Sequence, residues 1–431
     1  MRRYVVMLLM LAMVFGIFGT VVAEEKIKIT LATGAVGQEF KMSNAAADRY
    51  MELHPNVEIE VLDTPDLSND RLGLYLQFFE AQSYDVDVYQ IDVIWPGDLA
   101  EHLIDLNKYG ATEVTDDHFP ALIQNNTVDG RLVALPWFTD APILYYRTDL
   151  LEKYDLEVPK TWEELQSTAA IIQEGERKDG NADFWGFVWQ GNAYEGLTCD
   201  ALEWVASNGG GTIISPDKKI TINNPKAAEA IERAAGWVGT ISPPGVIGMV
   251  EDDARAAWQS GNAAFMRNWP YCYSLSKGEN SEVKGKFAVT TLPAGDSGSS
   301  AATLGGWQLA VSKYSKHPEV AADVALFLAS YEEQKYRAIQ GSLNPTLKDL
   351  YKDEEVIAAN PFMENLFDVF MNAVARPATA TAPNYNEVST KFFQAVHSVL
   401  TGDIDAETAL IELEWDLEDI TGFETGKPQE R

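Results

Sequence analysis

The sequence predicts an α/β chain folded as two lobes, each a mostly parallel sheet flanked by helices, with three crossings forming the hinge. Three observations carry this expectation. Strand-like and helix-like stretches alternate in βαβαβ order over residues 27–92. An extended apolar run then breaks the rhythm at residues 130–151, and a Gly/Ser-rich stretch at 294–302 leads back into a late apolar strand. Alternation with short connections implies a parallel sheet covered by helices, with ligand sites at the carboxyl ends of the strands. A chain of 431 residues fits two domains of ordinary size better than one.

The first 23 residues carry Arg2 and Arg3, an apolar run, and the small-residue end Val21-Val22-Ala23. This pattern reads as an export signal cleaved before Glu24, in preference to an anchor kept in the membrane. Next, "KIKITLATG" alternates Ile27, Ile29 and Leu31, a strand ending at Gly34. Phe40, Ala47, Tyr50 and Leu53 have helical spacing, stopped by His54-Pro55. "VEIEVLD" reads as a strand, "RLGLYLQFFEAQ" as a helix and "YDVDVYQID" as a strand.

In "GRLVALPWFTDAPILYYRTDLL" two extended runs flank Pro136 to Pro142, too long for a tight hairpin and too apolar for a surface loop. We read it as a crossing between lobes. Pro159, Thr161 and Glu164 then open a new helix. The stretch "AGDSGSSAA" reads as the return, a linker by composition rather than a serine-protease loop, since no matching His context stands upstream. "QGSLNPTLKDL" reads as the third crossing, and helices dominate the remainder. The expected division is a first lobe of residues 24–137 and 296–345 and a second lobe of residues 138–295 and 346–431.

Composition removes several function classes. The formal net charge of −32 repels phosphate backbones, so nucleic acid is a poor partner. The five histidines are scattered without metal-ligand spacing, and no phosphate-cradling glycine loop occurs, so no metal and no cofactor are expected. Cys199 and Cys272 allow either one bridge or two buried thiols. No Cys stands near the cleavage point to carry a lipid, which points to a freely diffusing periplasmic protein.

If the crossings form a hinge, the residues beside them line one cleft: Glu39, Arg71, Asp92, Trp137, Phe138, Asp140, Trp269, Trp307 and Arg376. Aromatic faces accept the C–H faces of a pyranose, carboxylates accept its hydroxyls, and Arg donates to its oxygens in a fixed fork. Gly305 and Gly306 would bare the backbone beside Trp307 to such a ligand. Each residue also has an ordinary reading. Trp307 could be core, Trp137 hinge packing, Asp92 and Asp140 caps or turn residues, Asn268 a helix cap, and Glu39 and Arg71 a solvated helix face. Two further classes compete with sugar capture. A secreted glycoside hydrolase would use Glu39, Asp92 and Asp140 as acid and base, and a peptide or polyamine binder would use the acids for a cation.

The blocks "GRLVALPWFTDAPILYYRTDLLEKY", "SGNAAFMRNWPY", "FAVTTLPAG", the Gly-Gly-Trp strand and "HPEVAADVALFLAS" together resemble the extracellular solute-binding proteins of ABC sugar importers, the trehalose/maltose-binding branch above all. The resemblance covers nearly the whole chain after the signal. It implies the two-lobe periplasmic binding protein fold, a monomer, a disaccharide or oligosaccharide ligand held between the lobes, and a membrane permease as partner. It implies binding roles for Glu39, Arg71, Asp92, Asp140, Trp269, Gly305, Gly306, Trp307 and Arg376. Phe138 departs from the pattern, which has Tyr near this Asp, and a hydroxyl contact is lost there.

Overall fold

The computed structural model describes residues 26–428 apart from 365, 366, 368 and 370–372. The export signal expected over residues 1–23 lies outside the described residues.

The opening elements follow the hydrophobic alternation: β1 (Ile27–Thr33), α1 (Glu39–Leu53), β2 (Val57–Asp63), α2 (Ser68–Glu80) and β3 (Val88–Asp92). Strand β1 buries Ile29 and Leu31, and β3 is buried at every residue. The extended run becomes β4 (Leu135–Asp140) and β5 (Ile143–Arg147), separated by only Ala141 and Pro142. These two strands join different sheets. Pro142 lacks an N–H to add to either ladder, and the chain changes lobe there. Strand β4 straddles the boundary expected at 137–138 and pairs into the first sheet through Asp140.

Helix α3 (Trp162–Lys178) opens on a capping box, in which Thr161 Oγ1 accepts from the Glu164 amide at 3.1 Å and Glu164 Oε2 accepts from the Thr161 amide at 3.3 Å. The second lobe continues with β6 (Trp185–Val188), α4 (Glu195–Ser207), α5 (Pro225–Ala235), α6 (Glu251–Gln259), β7 (Ala263–Asn268) and β8 (Phe287–Thr290). The return strand is β9 (Gly305–Val311), followed by α7 (Pro318–Leu328), α8 (Tyr331–Gly341) and α9 (Glu354–Ala359). The last helices, α10 (Tyr385–Leu400) and α11 (Ala406–Thr421), pack on each other and on α4 and α5 of the second lobe.

The sheets are mixed, with all strands but one in each running the same way. The first has the order β2-β1-β3-β9-β4, and the second β8-β5-β7-β6. In the first, β1 runs parallel to β2 and β3, whereas β9 is antiparallel to both β3 and β4. In the second, β5 is antiparallel to β8 and β7, and β6 is parallel to β7. Each sheet therefore contains one reversed strand, and it is the one that brings the chain in from the other lobe. Because that strand sits inside the sheet, it creates two antiparallel ladders. The reversal also sets the amino end of β9 beside the carboxyl ends of β3 and β4.

The stretch expected as the third crossing stays in the first lobe. Asn344 forms a bridge with Thr139 of β4, and Thr346 donates from its amide to Gln334 of α8 at 2.7 Å and from its hydroxyl to the Pro136 carbonyl at 3.2 Å. These polar ties hold it against β4. Helix α9 packs on α8, so the chain leaves this lobe only after α9 and before Arg376. The second lobe has a core of edge-to-face indoles, with Trp204 perpendicular to Trp189 at 5.1 Å and to Trp237 at 5.8 Å. Cys199 and Cys272 are buried free thiols. Among the described residues, no helix is long and apolar enough to cross a membrane.

Candidate ligand-binding cleft

A cavity of about 670 Å³, its open mouth included, lies between the two sheets. Its first-lobe wall is set by strand register. Asp92 pairs with Trp307, and Asp140 pairs with Gly305, so the two carboxylates flank β9 at its amino end. Glu39, the first residue of α1, stands beside them. The second-lobe wall comes from Trp269 just after β7, Glu251 at the start of α6, and Tyr194, Glu195 and Cys199 around the start of α4. Arg376 closes the hinge side.

Of the ten predicted residues, Glu39, Asp92, Asp140, Trp269, Gly305, Gly306, Trp307 and Arg376 line the cavity, and Arg71 and Phe138 do not. Arg71 lies one layer behind. Its guanidinium sits 4.3 Å from the Trp307 ring centroid, and its Nε donates to the Pro65 carbonyl at 2.9 Å. A side chain on Gly34 would collide with this guanidinium, its Cβ falling 2.0 Å from Nη2. Phe138 is core, opposite Trp307 in the ladder and 5.4 Å from Trp137. Trp137 is likewise buried, under the Arg337 guanidinium at 3.8 Å. Asn268 caps no helix. Its Nδ2 donates to the Glu251 carbonyl, and its Oδ1 accepts from the Trp269 amide at 2.8 Å.

The two glycines serve different ends. Gly306 has φ +122°, and a Cβ there would lie 2.6 Å from the Phe138 carbonyl oxygen. A Cβ on Gly305 would instead meet Trp269 Cζ3 at 2.9 Å. The bare backbone thus receives an indole from the opposite lobe, where the sequence suggested ligand.

The acids differ in how they are held. Arg376 bridges the lobes, donating to Asp92 Oδ1 and to Glu195 Oε1, both at 2.8 Å. Glu195 also accepts from Tyr385 at 2.6 Å and from Ser389. Burial nevertheless pushes the Glu195 carboxyl up. Glu39 accepts from Gln90 at 3.1 Å, and burial pushes it up against the pull of Arg71. Asp140 has no ion pair among the described residues, and its buried Oδ1 has no partner. Burial first, and then the Glu39 and Asp92 charges, push its carboxyl up to about 8. Trp269 rests on Arg267 at 4.5 Å, itself fixed by Glu203, Gln190 and Asp200 deep in the second lobe. Sequence reading passed over Glu195 and Glu251. Both stand first in a helix, and only the tertiary fold turns them inward.

Two sheets joined by crossings, with acids and indoles from both walls around one cavity, define a two-lobe binding protein. The chain belongs to the bacterial extracellular solute-binding proteins, whose family model matches residues 35–335. A probable ABC transporter-binding protein of Deinococcus radiodurans is 52% identical over 397 residues, covering 92% of this chain and 94% of that one. The structure of maltose-bound T. maritima MalE3 superposes with a TM-score of 0.87 at 41% identity, covering 91% of this chain and 99% of that one. The GacH receptor of Streptomyces glaucescens shares the fold, with a TM-score of 0.82 at 22% identity over 93% of this chain and 100% of that one.

Proposed function

We propose that this chain is the periplasmic binding subunit of an ABC importer, capturing a di- or oligosaccharide of the maltose or trehalose kind and handing it to a membrane permease. The observation that carries the reading is that Trp269 and Trp307, from opposite lobes, line one cavity together with the Asp140 carboxyl. Indoles suit pyranose faces, and the acids of the wall suit ring hydroxyls. The likeness to a maltose-bound protein at 41% identity supports this class. Glu39, Asp92, Asp140, Trp269, Trp307 and Arg376 would contact the sugar, Gly305 would seat Trp269, Gly306 would let β9 lie close against β4, and Arg71 and Phe138 would support the site from behind. The protein would act as a monomer, closing its lobes on the ligand. Closure then follows from a ligand that touches both walls only in the closed state.

A thermal-shift panel of maltose, trehalose, maltotriose and single hexoses tests this, because a ligand selective for the native state raises the midpoint by mass action. A rise with an α-linked glucose disaccharide and none with monosaccharides is expected. A hydrolase reading draws on Asp140, a carboxyl kept protonated near neutral pH beside other acids. Incubation with the same disaccharides separates the two readings, and intact sugar is expected.

A further inference from the structure

Helix α4 begins at the cavity but brings no cap of its own. Its N-cap residue is Tyr194, whose side chain makes no capping bond; the Leu197 amide donates to the Tyr194 carbonyl at 2.9 Å, but the Glu195 amide has no acceptor within its own helix. The acceptor comes from the other lobe. Asn69, in the first turn of α2, accepts from the Glu195 amide through Oδ1 at 2.9 Å. Its Nδ2 donates to Asn386 Oδ1, in the first turn of α10, at 3.1 Å. One carboxamide of the first lobe thus holds the starts of two second-lobe helices. Asn69 does not line the cavity, although Ser68 beside it does.

We infer that Asn69 is a positioning residue for ligand capture: it caps α4 across the cleft, so this helix end is satisfied only when the lobes close, and closure gains a contact independent of the ligand. The inference rests on the capture reading for its role and on the two-lobe fold for its geometry. The capped residue is Glu195, which also accepts from Arg376, the side chain that reaches Asp92 in the first lobe. Asn69 therefore secures from outside the cavity the same helix start that Arg376 secures from within. Opening the lobes separates Asn69 from both partners and returns the Glu195 amide to water.

The test uses the full mature chain with Asn69→Ala, Asn69→Asp and wild type. The Asp variant keeps the acceptor for the Glu195 amide, and its second oxygen can accept from Asn386 once that amide turns over. Isothermal titration with maltose should show Asn69→Ala binding about fivefold more weakly, in line with the loss of one cap. Asn69→Asp should stay within about twofold of wild type on the same grounds. Small-angle scattering of the unliganded proteins should show Asn69→Ala shifted toward a larger radius of gyration, which a purely structural role for an exposed helix start would not produce. Equal affinity and equal scattering for Asn69→Ala and wild type would overturn the inference. So would an Asp variant as weak and as open as the Ala variant. If wild type fails to bind maltose, the sugar reading falls, while the scattering comparison still decides the latch.

Discussion

At Asp140 the carboxyl is buried, faces two other acids and has one oxygen without a partner. Its value of about 8 in the folded chain lies above the ordinary value of an unfolded Asp, about 3.9. Its contribution to stability is therefore full below pH ~4 and is lost as pH rises through about 8. Calorimetric midpoints of Asp140→Asn should gain on wild type between pH 5 and pH 8 and run parallel above pH 9; parallel curves throughout would contradict the buried acid. A sugar hydroxyl donating to this carboxyl favours its ionised form, so binding near neutral pH should release protons. Titrations in two buffers of different ionisation heat would show this. The glycines allow a contrast at the same scale. Gly306→Ala places a Cβ against backbone at positive φ and should lower stability by roughly 1–3 kcal/mol in urea denaturation. Gly305→Ala meets only the edge of the Trp269 ring; it should weaken binding with less than about 1 kcal/mol lost from stability. Acids next to strand ends were legible from the sequence. The difference between a lined wall and a supporting layer, as at Arg71 and Phe138, was not, because it depends on which side of Trp307 each residue takes.

Elements were legible where one local signal sufficed. The capping box at Thr161 and the Pro stop after α1 depend on neighbours within four residues, and both stand where the sequence puts them. Strand direction is different. Nothing within β5 or β9 records that each arrives from the opposite lobe, and so neither reversed strand could be read. The third crossing was misplaced for a similar reason, since the bonds from Thr346 to Pro136 and Gln334 join residues far apart in the chain. Arg376 belongs to this scale because it ties the end of β3 to the start of α4. Arg376→Met leaves Asp92 and Glu195 buried with one fewer cation and should destabilise by about 3–5 kcal/mol. Adding Asp92→Asn and Glu195→Gln should restore most of that stability while binding stays lost. Urea midpoints paired with maltose titrations measure both, and a triple variant no more stable than Arg376→Met would show that packing, not uncompensated charge, governs this junction.

For the molecule as a whole, 65 acidic against 33 basic residues set a repulsive field that every folded copy must contain. Surface pairs such as Lys153 with Asp179 offset little of it, because both side chains are open to water and screened. Salt should therefore stabilise the chain, because screening reaches about 10 Å at 0.1 M and weakens the many long-range repulsions more than the few attractive pairs. The cleft should respond differently. Its charged groups are buried, with Asp92 and Glu195 joined by direct bonds through Arg376, where mobile ions do not penetrate. Thermal midpoints from about 0.02 to 0.3 M NaCl should rise with and without maltose, and the gap between the two series should stay constant. A gap that narrows with salt would mean that the acids around the ligand are open to solvent, and it would place the binding surface outside the closed cavity between the lobes.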